Sequence, residues 1–145
     1  MSTVRDMIRK KGGEVYAIPP EATVYEALKA MADYNTGALL VMDGDDMVGI
    51  LSERDCVRKV DLAGRHVQET KVHEIMTGDV ITVNCDQPLE DCMSLMMEKG
   101  IRHLPVYDSN KLMGLVSVRD VLKEMIEQQQ VMLSQLERYI TGGGR

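Results

Sequence analysis

Two heptapeptides in this chain carry the same polar set: Gly49-Ile50-Leu51-Ser52-Glu53-Arg54-Asp55 and Gly114-Leu115-Val116-Ser117-Val118-Arg119-Asp120. Each crosses from an apolar, strand-like run into a helix-like one. The hydroxyl therefore stands at a helix N-cap with the carboxylate three residues on. Two chemistries fit that spacing. In a capping box the serine oxygen accepts from an orphan backbone N–H and the acid reaches back to the cap N–H. The same helix end also offers free N–H groups and the positive end of a dipole to an anion. A carboxylate beside it can accept from both hydroxyls of a ribose, and the arginine adds a charge-assisted fork for phosphate oxygens.

The heptapeptides end a longer internal repeat. Residues 15–55 and 80–120 align without a gap, 65 positions apart, with nine of 41 positions identical. The pairs are Val15/Val80, Met31/Met96, Leu39/Leu104, Val41/Val106, Asp43/Asp108, Gly49/Gly114, Ser52/Ser117, Arg54/Arg119 and Asp55/Asp120. A repeat of this kind sets the architecture, because one unit of roughly 60 residues buries little surface alone and two equivalent units can bury it together. The pattern predicts short strands at Glu14–Ile18 and Asp79–Val83. Helices are expected after Thr23 and Asp86, with apolar faces Val24, Ala27, Leu28, Met31 and Leu89, Cys92, Met93, Met96. Buried strands are expected at 38–42 and 104–108. Turns at Asp43–Asp46 and Asp108–Lys111 lead to hairpin partners at 47–51 and 112–116, each followed by a helix. The segment Val4-Arg5-Asp6-Met7-Ile8 has a counterpart in Val72-His73-Glu74-Ile75-Met76, and three extra residues around Lys10-Lys11-Gly12 break the register. The fold class is α/β (α+β): two tandem βαββα repeats packed by pseudo-twofold symmetry, with an extended C-terminal helix. The expected division is repeat one with its N-terminal segment at 1–63, a linker at 64–70, repeat two at 71–122 and a helical extension with its tail at 123–145.

This order of elements, with Gly-x-x-Ser-x-Arg-Asp duplicated 65 residues apart, resembles a pair of CBS domains, the module named after cystathionine β-synthase. The resemblance covers about residues 4–125. It implies a regulatory module that binds an adenosine ligand (AMP, ADP, ATP, NAD or S-adenosylmethionine) in clefts between the repeats. On that resemblance Asp55 and Asp120 would hold ribose hydroxyls, and Ser52 and Ser117 would contact ribose or phosphate. Tyr16-Ala17 and Ile81-Thr82 would line the base pocket, largely through backbone groups. The segment Gly100-Ile101-Arg102-His103-Leu104-Pro105-Val106 matches one that supplies cationic phosphate contacts. The first copy has Asn35-Thr36-Gly37-Ala38-Leu39-Leu40-Val41 there, with no charge and with Leu40 in place of the proline. Arg102 taken alone also reads as a solvated helix-end cation, and His103 as a structural donor. Arg54 and Arg119 join the phosphate candidates.

Net charge is −6, which excludes a general attraction to nucleic acid. No stretch approaches 18 apolar residues, so no membrane partner is expected. The first eleven residues lack a signal-peptide core. Cys56, Cys85 and Cys92 have neither metal-like nor redox-like spacing and suit reduced thiols in the cytoplasm. With 12 Met and neither Phe nor Trp, the core must be aliphatic and Met-rich. No catalytic nucleophile or metal-ligand set is visible, so the chain does not read as an enzyme, and no cofactor is required. Val118, Leu122, Met125, Gln129, Met132, Leu136 and Tyr139 repeat at alternating steps of four and three, a seam for a second copy of the chain. The reading is therefore an adenine-nucleotide sensor acting as a homodimer and reporting to a regulated protein partner. Two others compete: a structural dimerisation module whose Ser and Asp only cap helices, and a thiol-dependent protein using Cys56.

Overall fold

The computed structural model describes residues 2–12 and 14–141. Along the chain run α1 (Val4–Lys11), β1 (Ala17–Ile18), α2 (Val24–Tyr34), β2 (Ala38–Asp43), β3 (Asp46–Ser52) and α3 (Glu53–Cys56), which continues as a π-helical stretch over Val57–Asp61. There follow α4 (Val72–Ile75), β4 (Val83–Asn84), α5 (Leu89–Lys99), β5 (His103–Asp108), β6 (Lys111–Ser117) and α6 (Val118–Ile140). The chain forms two compact units, one of residues 14–81 and one split unit of residues up to 13 together with those from 82 onward.

Each unit holds one three-stranded sheet of the same topology. β1 pairs parallel to β2 and β2 antiparallel to β3; β4, β5 and β6 repeat this. The registers keep the 65-residue offset: Ala38 faces Ser52 as His103 faces Ser117, Val41 faces Gly49 as Val106 faces Gly114, and both hairpins shift register at the next residue. Side chains 38–41 and 104–106 are buried, as two-sided strands require. α2 starts where the Thr23 hydroxyl accepts from the Glu26 N–H at 3.1 Å and ends with Asn35 at φ 53°. Gly100, at the equivalent position, ends α5 at φ 64°. A left-handed residue there satisfies the last carbonyls and turns the chain into the central strand.

The short helices sort differently in space than in sequence. Val4 and Arg5 donate to the carbonyls of Gln87 at 3.0 Å and Cys85 at 2.9 Å, so α1 belongs to the sheet of the second copy. Residues 64–70, expected as a linker, are tied into the 14–81 unit. Val24 N–H donates to Thr70 O at 2.8 Å and Tyr25 N–H to Val67 O at 3.0 Å, and Thr70 is buried with its hydroxyl on His66 O.

The first strands are shorter than the pattern suggested, for a proline reason. β1 is closed by Pro19-Pro20, which offers no N–H. In the other sheet Leu40 is replaced by Pro105. Leu40 N–H donates to Tyr16 O at 3.0 Å and Ala17 faces Leu40. Pro105 cannot make that rung, so pairing begins one residue later, at Val83 with Val106, and Thr82 lies outside the strand. Nor does Asp86 start α5. Asp86 N–H donates to Asn84 Oδ1 and Gln87 N–H to Asn84 O, a tight turn that delays the helix until Pro88 takes the N-cap position.

The shared glycines are packing residues. A Cβ at Gly49 would lie 2.7 Å from Met76 Sδ and 2.9 Å from the Thr77 carbonyl, whose residue bridges Ile50. A Cβ at Gly114 would meet only Ile8 Cδ1, at 3.0 Å. The short helix leaves β3 no room for a side chain, whereas against β6 it presents a flexible side-chain end.

α6 buries only Val121 and Glu124. Leu122, Ile126, Val131, Met132, Leu133, Leu136, Tyr139 and Ile140 are exposed within this chain. Of the seam read from sequence, Val118 and Met125 are half-buried. The open stripe is rotated towards Leu122, Ile126, Leu133, Leu136 and Ile140, and Met132 and Tyr139 widen it.

Gly49→Ala should destabilise the protein by about 1–3 kcal/mol through overpacking, and Gly114→Ala by clearly less, because Ile8 can rotate away. Urea denaturation of the two variants checks this, and equal losses would refute the packing account.

Candidate functional site

The N-termini of α3 and α6 are built on the same capping box. Ser52 Oγ accepts from Asp55 N–H at 3.1 Å, while Asp55 Oδ2 accepts from Ser52 N–H and Oγ, both at 3.0 Å. Ser117 Oγ accepts from Asp120 N–H at 3.1 Å, and Asp120 Oδ2 from Ser117 N–H at 2.8 Å. The first helical N–H is also taken: Glu53 donates to Gly37 O and Val118 to Arg102 O, both at 3.0 Å. Both are full capping boxes, so the carboxylates hold the strand-to-helix crossings in this state.

Each carboxylate also holds a lysine, and the two lysines come from different places. Lys59 Nζ, one turn on from Asp55, lies 3.2 Å from its Oδ1 and donates to Ile75 O at 2.9 Å. The counterpart of Lys59, 65 positions on, is Glu124, an acid. Asp120 instead receives Lys11 Nζ at 2.6 Å on Oδ2, and the same ammonium donates to Leu115 O at 2.7 Å. Glu124 is buried and accepts from Lys10 Nζ at 2.8 Å. Both lysines stand on the last turn of α1, which has eight residues where α4 has four. The three residues that break the repeat register thus lengthen a helix and bring two cations to the second copy. Neither Lys11 nor Lys59 was singled out from sequence. Lys59 was legible as an i, i+4 partner of Asp55, and Lys11 only through the insertion, since 109 residues separate it from Asp120.

The structure brings Arg102, His103, Ser117 and Asp120 to one end of the split unit, because Ser117 faces His103 across the hairpin and Val118 bonds to Arg102. Burial lowers the His103 pKa, and the charges of Lys11 and Arg102 lower it further against the pull of Asp120. His103 is therefore a neutral ring at pH 7, not a phosphate cation. Burial works to raise the Asp120 pKa, but the Lys11 and Ser117 hydrogen bonds outweigh it and leave the carboxyl below its ordinary value. Arg54, Arg102 and Arg119 are exposed, and among the described residues none of them forms an ion pair. Pro105 is buried in β5.

The base-pocket candidates are more scattered. Ala17 faces Leu40, two residues along β2 from the Ala38 that faces Ser52. Tyr16 stacks on Tyr34 with ring centres 4.2 Å apart and planes 11° apart, and its hydroxyl donates to Glu14 Oε2 at 2.6 Å. Tyr34 carried no sequence signal. Ile81 is half-buried and outside any strand. Thr82 lines a cavity of about 490 Å³ with Asn84, Gln87, Tyr107, Ser109 and Asn110. Asp120 borders a different one of about 390 Å³, lined by Met7 and by the charged Lys10, Lys11, Lys123, Asp120, Glu124 and Glu127.

The family model of the CBS domain matches residues 4–62 and again 72–127. The chain belongs to the CBS domain family. A mitochondrial CBS domain-containing protein of Arabidopsis thaliana is 35% identical over 151 residues, covering 98% of this chain and 73% of its own. A CBS domain solved by crystallography is 46% identical with a TM-score of 0.83, covering 86% of this chain and 98% of that one. A hexameric CBS-CP12 protein from bloom-forming cyanobacteria is 30% identical with a TM-score of 0.74, over 84% of this chain and 70% of that one. CBS repeats are regulatory modules, and the chain is of that type.

Within these CBS repeats the cysteines are core residues. All three are buried and free. Burial first, then the charges of Asp55 and Glu53, push the Cys56 thiol up to about 11. A thiolate is the reactive form, so the geometry gives the thiol-dependent reading no support. No described helix is long and apolar enough to cross a membrane.

Folding lowers the His103 pKa, so protonation favours the unfolded chain. The neutral ring's contribution is complete above the ordinary value of 6.5 and is lost as pH falls through it towards the folded-state pKa. Asp120 loses its own contribution only below 3.8. Between about pH 7.5 and pH 5.5 the melting temperature should therefore fall more for the wild type than for His103→Asn. Parallel curves would show that the ring is not held neutral by folding.

Proposed function

We propose that this CBS pair is a sensor of an adenine nucleotide of the AMP, ADP, ATP or NAD class, and that it acts as a homodimer reporting to a regulated protein. The observation that carries the reading is the helix N-terminus built twice with serine and aspartate, joined in the second copy by Arg102, Arg119 and Lys11 on a chain of net charge −6. An anionic ligand needs local positive charge that the whole protein does not supply. A carboxylate held below its ordinary pKa remains an acceptor for a ribose diol at any physiological pH.

One observation favours a second reading, a structural module with unused sites: both carboxylates are already committed to caps and lysines. Calorimetry with adenosine and AMP separates the two. The sensor reading expects AMP to bind more tightly than adenosine. It also expects Asp120→Asn, which keeps a cap acceptor, to weaken AMP more than Asp55→Asn does. Loss of a charge-assisted hydrogen bond is worth about 1.5–3 kcal/mol, or roughly 10- to 150-fold. No binding of any nucleotide would leave only the structural reading.

The dimer reading rests on α6. Its 23 residues span about 34 Å. Residues 128–136, Gln-Gln-Gln-Val-Met-Leu-Ser-Gln-Leu, carry no charge, unlike a helix face solvated on its own. The twofold pairing of two such stripes is the simplest closed cover. Met132→Glu with Leu136→Glu, remote in sequence from Ser117 and Asp120, should halve the mass measured by size-exclusion chromatography with light scattering. A monomeric wild type, or an unchanged mass, would rule out α6 as the contact.

A further inference from the structure

We propose that Lys11 is the residue that selects phosphorylated over unphosphorylated adenine ligands at the Asp120 site, by guarding the carboxylate until a phosphate can take the lysine over. The inference rests on the sensor reading above. Its basis is the position of one ammonium group. Lys11 Nζ sits 2.6 Å from Asp120 Oδ2 and 2.7 Å from Leu115 O, on the same oxygen that caps Ser117 N–H at 2.8 Å. Among the described residues only Oδ2 carries partners, so a ribose diol that uses both oxygens of this carboxylate must compete with the lysine for Oδ2. The displaced ammonium then needs a new acceptor. Adenosine brings no anion, so its binding leaves Lys11 with the neutral Leu115 carbonyl and water. A nucleotide brings phosphate oxygens, and the lysine can exchange a carboxylate for a phosphate at little net cost.

The surroundings permit that exchange. Lys11 borders the 390 Å³ cavity, and its side chain is 38% exposed, so the ammonium can swing without unpacking the core. Lys10 cannot substitute, because it is held 2.8 Å from the buried Glu124. Arg102 and His103 frame the same end of the unit and His103 is neutral; Arg102, Arg119 and Lys123 are also near in sequence or cavity, but Lys11 is the cation recorded in contact with the Asp120 carboxylate. In the first copy the lysine comes from elsewhere and sits on the carboxylate oxygen that the cap does not use. Its lysine, Lys59, rises from the same helical run as Asp55 and is tied to Ile75 O.

Calorimetry of the full chain with adenosine and with AMP, comparing wild type, Lys11→Met and Lys11→Arg, decides the matter. For a half-exposed ion pair the expected effects are about two- to fivefold each. Lys11→Met should tighten adenosine and weaken AMP, so their affinity ratio narrows. Lys11→Arg, which keeps the charge, should hold the ratio near that of wild type and controls for disturbance of α1. If wild type binds AMP and Lys11→Met shifts both ligands in the same direction, or neither, the guarding role is wrong while the sensor reading stands. If neither ligand binds wild type or either variant at millimolar concentration, the site itself is wrong and this inference falls with it.

Discussion

Each sheet of this protein hands its last strand to a helix at a single carboxylate, and most of the architecture follows from that junction. The strand ends because serine turns its N–H and hydroxyl towards the acid, and the helix begins because the acid's own N–H returns to the serine. Buried or half-buried donors at a helix start must find acceptors. Here the residue before each central strand contributes one, through the carbonyls of Gly37 and Arg102, and the capping box satisfies the serine and aspartate N–H groups. A junction tied on both sides fixes where the helix points, so α3 can pack against α2 and α6 against α5. The glycine three residues before the serine then lets a short helix pack directly on the strand.

Two copies of one junction diverge through their cations. In the 14–81 unit the carboxylate is held from within its own helical run by Lys59. In the split unit the equivalent position became Glu124, buried at 5% exposure, and a buried acid without a partner would be costly. The longer α1 meets both needs, with Lys10 on Glu124 and Lys11 on Asp120. The glutamate at the position equivalent to Lys59 and the longer helix thus complement each other. Together they transfer control of the second carboxylate from a neighbour in sequence to a helix more than a hundred residues away.

Much of this was legible before any coordinates. The 65-residue repeat gave both hairpins, and the alternation of apolar runs and turn residues placed α2, β2, β3, β5 and β6 close to their observed bounds. Elements with strong local signals were readable for that reason. What was misread depended on absent or distant partners. The missing N–H of Pro105 moved the start of β4, and the Asn84 turn postponed α5 past Asp86. Residues 64–70 look like a linker by composition, but their carbonyls cap the start of α2. The duplicated glycine looked like part of a ligand motif, and Gly49 is explained by a Met76 contact that no pattern within one repeat contains. At the site, Ser52, Asp55, Ser117 and Asp120 were readable because their partners lie within three residues. Lys11 was not, because only the fold brings it to Asp120.

The caps also set the terms on which any ligand could use these carboxylates. A carboxylate has about four acceptor sites. At Asp120 the Ser117 N–H and the Lys11 ammonium both fall on Oδ2, and at Asp55 the cap takes Oδ2 while the lysine takes Oδ1. Among the described residues Oδ1 of Asp120 therefore carries no partner and a diol meets the cap and Lys11 together on Oδ2, whereas at Asp55 it meets the cap on one oxygen and Lys59 on the other. Either lysine, once displaced, keeps one backbone acceptor: Ile75 O at the end of α4 for Lys59, and Leu115 O in β6 for Lys11. Loss of either cap would unfasten a strand from its helix, and loss of either lysine would not. The two functions on one carboxylate are thus separable: the cap holds the crossing, and the lysine balances the charge.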